Sequence, residues 1–126
     1  MKLRRRPDKQ KAKALREMAE QIIERLDSTD KMQYAAQTLT DYYDAIHNLL
    51  EAKSAEKGVK IKGEGAHEEL IRYMAKTRVI TEAEKAFLQD MRNHRNRIRY
   101  EGFSLPGEFI EENESRIRAL INKLSK

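Results

Sequence analysis

The sequence predicts an all-α protein, an up-and-down antiparallel bundle of about five helices with a four-helix core. Two observations carry this. Charged residues make up 37% of the 126 positions, against only five Gly and two Pro, a balance that suits long helices with solvated outer faces. Apolar residues also recur at helical spacing in five successive segments joined by short breaks, which favours antiparallel neighbours. No segment shows an alternation that reads as a strand.

The first helix begins after Pro7-Asp8 and runs to about Leu26, with Leu15, Met18, Ala19, Ile22 and Leu26 as its apolar stripe. The turn "DSTD" leads to a second helix from about Lys31 to Lys57. Ala35, Leu39, Tyr42, Tyr43, Ile46, Leu49 and Leu50 line one side of it, and Gly58 stops it. The loop "GVKIKGEG" precedes a short third helix, "AHEELIRYMAKT", with Glu68 and Glu69 in the first turn, where the helix dipole favours acids. Thr81 and Glu84 form a capping-box signature opening the fourth helix, which stops near Gly102. After "FSLPG" the last helix runs from about Glu108 to Leu124, its stripe formed by Phe109, Ile110, Ile117, Leu120, Ile121 and Leu124.

Residues 1–7 read as a basic N-terminal arm and residues 8–126 as a single domain. The charge is uneven: residues 1–13 hold seven Lys and Arg against Asp8 alone, a net of +6, so the remainder of the +5 chain carries −1. Basic arms can bind nucleic acid. With no aromatic residue among these charges for stacking, this one reads as a solvated tail. The absence of Cys removes disulfides, thiolate nucleophiles and Cys-ligated zinc. No apolar run approaches the roughly 18 residues of a membrane span, and no signal-peptide pattern opens the chain, so a cytoplasmic protein is expected.

The informative stretch is "RNHRNRIRYEG", residues 92–102. The apolar face of the fourth helix reads Phe87, Leu88, Met91, then Arg95, then Ile98, so Arg95 occupies a position reserved for an apolar residue. A guanidinium there needs an acceptor: a carboxylate inside the bundle, a neighbouring subunit, or a bound phosphate. Arginine suits phosphate because its planar fork offers two parallel donors. Arg92 and Arg99 flank Asn96 at helical spacing beside Arg95, a strip able to meet a nucleic-acid backbone or simply to pair with acids of neighbouring helices. Arg97 falls elsewhere and reads as solvated.

The run "YYDAIHNLLEAKSAEKGVKIKGEGAHEELIRYM", followed by "RNRIRYEG", resembles the HEPN family, small helical-bundle domains named for nucleotide binding in higher eukaryotes and prokaryotes. The likeness covers most of residues 8–125 in helix order. It implies a homodimer, often paired with a minimal nucleotidyltransferase as a toxin–antitoxin system, and in many members a metal-independent ribonuclease. The family motif is Arg, a polar residue, a few further positions, then His. Arg95 matches the arginine and Asn96 the polar residue, but the histidine position is Tyr100. Metal-free RNA cleavage needs a base for the 2′-hydroxyl and groups that stabilise charge at phosphorus. Tyrosine, with a reference pKa near 10, is ionised to about one part in a thousand at pH 7. The motif is therefore degenerate. In this reading Arg95 holds phosphate, Asn96 orients it and Tyr100 bonds nearby. His94 is the alternative base, although adjacent helix side chains point about 100° apart, so it would have to meet Arg95 across a dimer.

The expected function is an RNA- or nucleotide-binding domain with no cofactor. The alternatives are an active endoribonuclease toxin, completed by His94 or a perturbed Tyr100, and a non-catalytic interaction module that docks a nucleotidyltransferase with Arg95 in a structural ion pair. Asp44-x-x-His47 and Asp90 before His94 lack the Glu-x-x-His pattern of a bundle di-metal site, so no metal is expected. His67 starts the short helix after "GEG", where exposed amides could receive an anion, but it reads rather as a capping or surface residue; Tyr34, Tyr42, Tyr43 and Tyr73 read as core or interface aromatics.

Overall fold

The computed structural model describes residues 1–126. Its order is β1 (Lys2–Arg4), α1 (Lys9–Asp27), α2 (Ala35–Glu56), β2 (Val59–Ile61), α3 (Ala66–Lys76), α4 (Glu82–Glu101) and α5 (Gly107–Leu124). The five helices make an all-α bundle; the only sheet is the short antiparallel β1–β2 pair. None of the helices is long and apolar enough to cross a membrane.

The start signals act as their chemistry dictates. Asp8 caps α1, its carboxylate accepting from the Lys11 amide at 2.9 Å. Thr81 and Glu84 form the reciprocal capping box of α4. The second helix begins one turn later than its periodicity predicts. Asp30 takes the Gln33 amide at 3.1 Å, and the Thr38 hydroxyl reaches the Lys31 carbonyl at 2.7 Å, so Lys31–Tyr34 form a separate turn. Within α1, Met18 of the expected stripe is 52% exposed, while Ala12 is fully buried instead.

Helix α2 is the centre of the bundle. It packs against α1, α3, α4, α5 and β2, and supplies twelve of the 32 buried residues. Its burial therefore extends beyond the expected stripe to Thr38, Ala45, Ala52 and Ser54, as a helix surrounded by neighbours requires. The buried polar groups on it are satisfied: Asp41 accepts from Arg25 at 2.9 Å and Gln37 at 3.2 Å, and Ser54 donates to the Val59 carbonyl at 2.5 Å. A second polar seam ties α2 to α5, where the Tyr42 hydroxyl donates to Glu114 at 2.6 Å and accepts from Arg118 at 2.8 Å.

The basic arm is not a free tail. Lys2, Leu3 and Arg4 pair with Ile61, Lys60 and Val59, and the Met1 ammonium meets Glu69 at 2.9 Å. The backbone continues docked beyond the strand, with Arg5 N donating to the Gly58 carbonyl at 2.7 Å and Asp8 N to that of Ala55 at 2.9 Å. Gly58, at φ +69°, makes this approach possible, because a Cβ there would overlap the Arg5 carbonyl oxygen. The arm's charged side chains stay exposed while its peptide groups are used.

Candidate functional site

On α4, Phe87, Leu88 and Met91 enter the core and Arg95 follows them, its side chain only 12% exposed. Its partner is a partly exposed carboxylate of α2. Arg95 Nε donates to Asp44 Oδ1 at 3.1 Å, and the guanidinium lies over the Tyr43 ring, 5.3 Å from its centroid. Arg92 donates to Gln89 at 3.0 Å and approaches Glu68 at 3.7 Å. Asn96 is half-buried, and its side chain has no hydrogen bond within the chain.

The other motif residues face elsewhere. His94 packs against Phe109, edge-on at 5.0 Å, and Phe103 at 6.3 Å, with its Nδ1 buried and unpartnered. Arg97 covers Phe103 at 4.0 Å rather than standing free in water. Arg99 is exposed, as is Tyr100 at 78%, one turn from the end of α4 at Gly102. Within one chain Arg95, His94 and Tyr100 are thus on three different sides, as the 100° step between adjacent helix residues requires.

A different cluster converges beside Arg95. Tyr43, Asp44, His47 and Glu51 follow one flank of α2, and His67 is delivered from the start of α3 by the turn through Gly63 (φ +95°) and Gly65 (φ +75°). The His47 and His67 rings stack face to face, with centroids 3.9 Å apart and planes inclined by 13°. His47 Nε2 faces Glu51 at 3.4 Å, and Lys60 reaches the other oxygen of Glu51 at 3.8 Å. The hydrogen bond from His47 holds the Glu51 carboxyl below its usual range. The Tyr43 hydroxyl lies 3.3 Å from His67 Nδ1. Burial pushes that phenol up to about 12. Burial, followed by the charges of His47 and Arg95, presses His67 down to about 4, so its ring is neutral at pH 7.

These histidines open on a cavity of about 450 Å³. The arm contributes Arg5 and Arg6 to its lining, α1 contributes Lys11, and the β2 segment Lys60 and Lys62. The acids of the lining are Asp8, committed to its capping bond, and Glu51, held by His47 and Lys60. Sequence reasoning set His67 aside and missed Lys60, Lys62 and Glu51. A signal was present in "VKIK", where Val59 and Ile61 are buried and Lys60 and Lys62 are not, the alternation of a short strand. Asp44 and His47, weighed together as metal ligands, face different partners, Arg95 and Glu51. No family model matches the chain, and neither a curated protein nor a solved structure matches it.

Proposed function

We propose that this chain is an RNA- or nucleotide-binding domain of HEPN-like build, with a ribonuclease motif that is degenerate at Tyr100. The observation that carries the reading is the cavity lined by five Lys and Arg side chains and a stacked histidine pair. Its volume suits a single small ligand, for which pockets of about 300–1,000 Å³ are usual. Its excess of cations suits phosphate. Arg95 and Arg92 adjoin the same cluster through Tyr43 and Glu68 and add to its positive field. On the resemblance alone, the proposal includes a homodimer, a cytoplasmic setting and a minimal nucleotidyltransferase partner in a toxin–antitoxin pair.

The Arg95–Asp44 pair favours a second reading, an interaction module in which Arg95 is structural. Incubating labelled single-stranded RNA and nucleotides with the protein in chelator separates them. Binding without cleavage, weakened by Lys60→Gln, is the expected result. Absence of binding across a range of RNAs and nucleotides would leave the module reading standing.

A further inference from the structure

We propose that the cavity between the arm, the β2 segment and the start of α3 is a site for a terminal phosphate monoester, either the 5′-phosphate end of an RNA or that of a free nucleotide. The inference rests on the phosphate-binding reading above and narrows it. It assigns binding to the histidine cavity rather than to the arginine strip of α4.

Arg5, Arg6, Lys11, Lys60 and Lys62 face only Asp8 and Glu51 in the lining, a formal excess of three positive charges among these seven side chains. A phosphate monoester carries about −1.5 to −2 at pH 7, whereas an internal phosphodiester carries a single charge. The more highly charged group is favoured by this excess.

In the tautomer in which the Tyr43 phenol donates to Nδ1, the proton of the neutral His67 ring sits on Nε2, which has no acceptor within the chain. The backbone amides of His67 and Glu68 are likewise without acceptors, whereas that of Glu69 bonds to Gly65 at 3.0 Å. The acids of this first turn are drawn elsewhere, Glu68 toward Arg72 and Arg92 at 3.7 Å each and Glu69 to the Met1 ammonium. A monoester presents three terminal oxygens to such donors, and a diester presents two.

The walls also limit what can enter. The arm backbone is hydrogen-bonded along one wall from Met1 to Asp8, and α2 and α3 contribute adjoining walls where His47 stacks on His67. About 450 Å³ holds the end of a chain better than a strand passing through.

The test measures equilibrium binding of the full chain to three probes: a short RNA with a 5′-phosphate, the same RNA with a 5′-hydroxyl, and a nucleoside 5′-monophosphate. The expected result is at least tenfold tighter binding of a phosphorylated probe than of the hydroxyl RNA. His67→Gln and Lys60→Gln should each weaken it about fivefold or more. Lys76→Gln, at the far end of α3, serves as the control, and far-UV circular dichroism confirms that each variant is folded. Preference for the nucleotide alone identifies a free ligand, and preference for the phosphorylated RNA alone identifies RNA ends; either sustains the proposal. Equal binding of both RNAs, lost in Arg92→Ala or Arg95→Ala, overturns this inference and leaves the broader RNA-binding reading intact. Monoester binding indifferent to both cavity variants also overturns it. No binding of any probe overturns both.

Discussion

Removing Asp44 should destabilise the protein more than removing the charge of Arg95. In Asp44→Ala the guanidinium stays in a position only 12% exposed, with the Tyr43 face as its remaining partner. Breaking a fully buried pair costs about 3–5 kcal/mol. Asp44 is 39% exposed, so water reaches this pair, and we expect about 2 kcal/mol, or a fall in Tm of about 8 °C. Arg95→Met keeps the volume of the arginine stem between Met91 and Ile98, in the place where the stripe calls for an apolar side chain. It leaves only a carboxylate that can turn to solvent, so its cost should stay below about 1 kcal/mol. The double variant should be no less stable than Arg95→Met, giving a coupling of about 2 kcal/mol. Urea unfolding followed at 222 nm measures all four proteins. Additive losses, or an Asp44→Ala variant as stable as the parent, would refute the assignment of this pair. The same variants address function. If Arg95 lends itself to phosphate, freeing it from Asp44 raises affinity despite the lost stability; if it is purely structural, affinity is unchanged while the variant is folded.

Gly58→Ala places an L-residue at φ +69° and drives its methyl group into the Arg5 carbonyl, so about 2–3 kcal/mol should be lost. Faster hydrogen exchange at Lys2–Arg4 and Arg5 than in the helical core is the signature, and unchanged exchange there would contradict the docked arm. Thr81→Ala removes half of the capping box and should cost about 1 kcal/mol in urea unfolding; a neutral result would mean that Glu84 caps the helix unaided. His67 titrates near its ordinary 6.5 when unfolded and at about 4 when folded. Between those values the unfolded chain binds more protons, so the stability it contributes is intact above about pH 6.5 and is lost as pH falls toward 4. The group keeps contact with water, which trims the effect to on the order of 1–2 kcal/mol. Parent and His67→Gln unfolding free energies should converge over that window, and parallel curves would disprove the assignment.

Local chemistry carried most of the fold. Helix starts at Asp8 and Thr81, stops at Gly58 and Gly102, and five apolar stripes are all written within a few neighbouring positions. The features that escaped are those whose partners are distant in sequence. "VKIK" is too short to announce a strand alone, and its partner lies some 57 residues earlier, in an arm whose charges suggested a tail. The start of α2 was missed by a turn because side-chain bonds from Asp30 and Thr38 compete with the helical ladder there. For the candidate site, Arg95 stood out as a charge on an apolar stripe, but its acceptor lies 51 residues away. The histidine pair depends on a loop with two glycines in left-handed conformations, and no spacing rule encodes it.

The position of α2 explains why these polar groups collect in one place. A helix packed by every other helix has little solvated surface, so each polar side chain along it must be answered by a neighbouring element. Asp44 is answered from α4 by Arg95, Tyr43 from α3 by His67, and Glu51 by Lys60 of β2. Three separate elements are thereby tied to one flank of α2, and the arm is tied to β2 and to Glu69 of α3. The cavity is lined by residues of these same elements. A phosphate drawn into it would compete for Lys60, attract His67 Nε2 and lie against the arm, so it would touch the connection to each of β2, α3 and the N-terminus. Binding should therefore tighten the contacts that already hold the arm and α3 in place, since a ligand that engages only the folded arrangement stabilises it by mass action. On the proposed binding, occupancy and order of the arm would be one property of the molecule, although the residues that create them lie at opposite ends of residues 1–67.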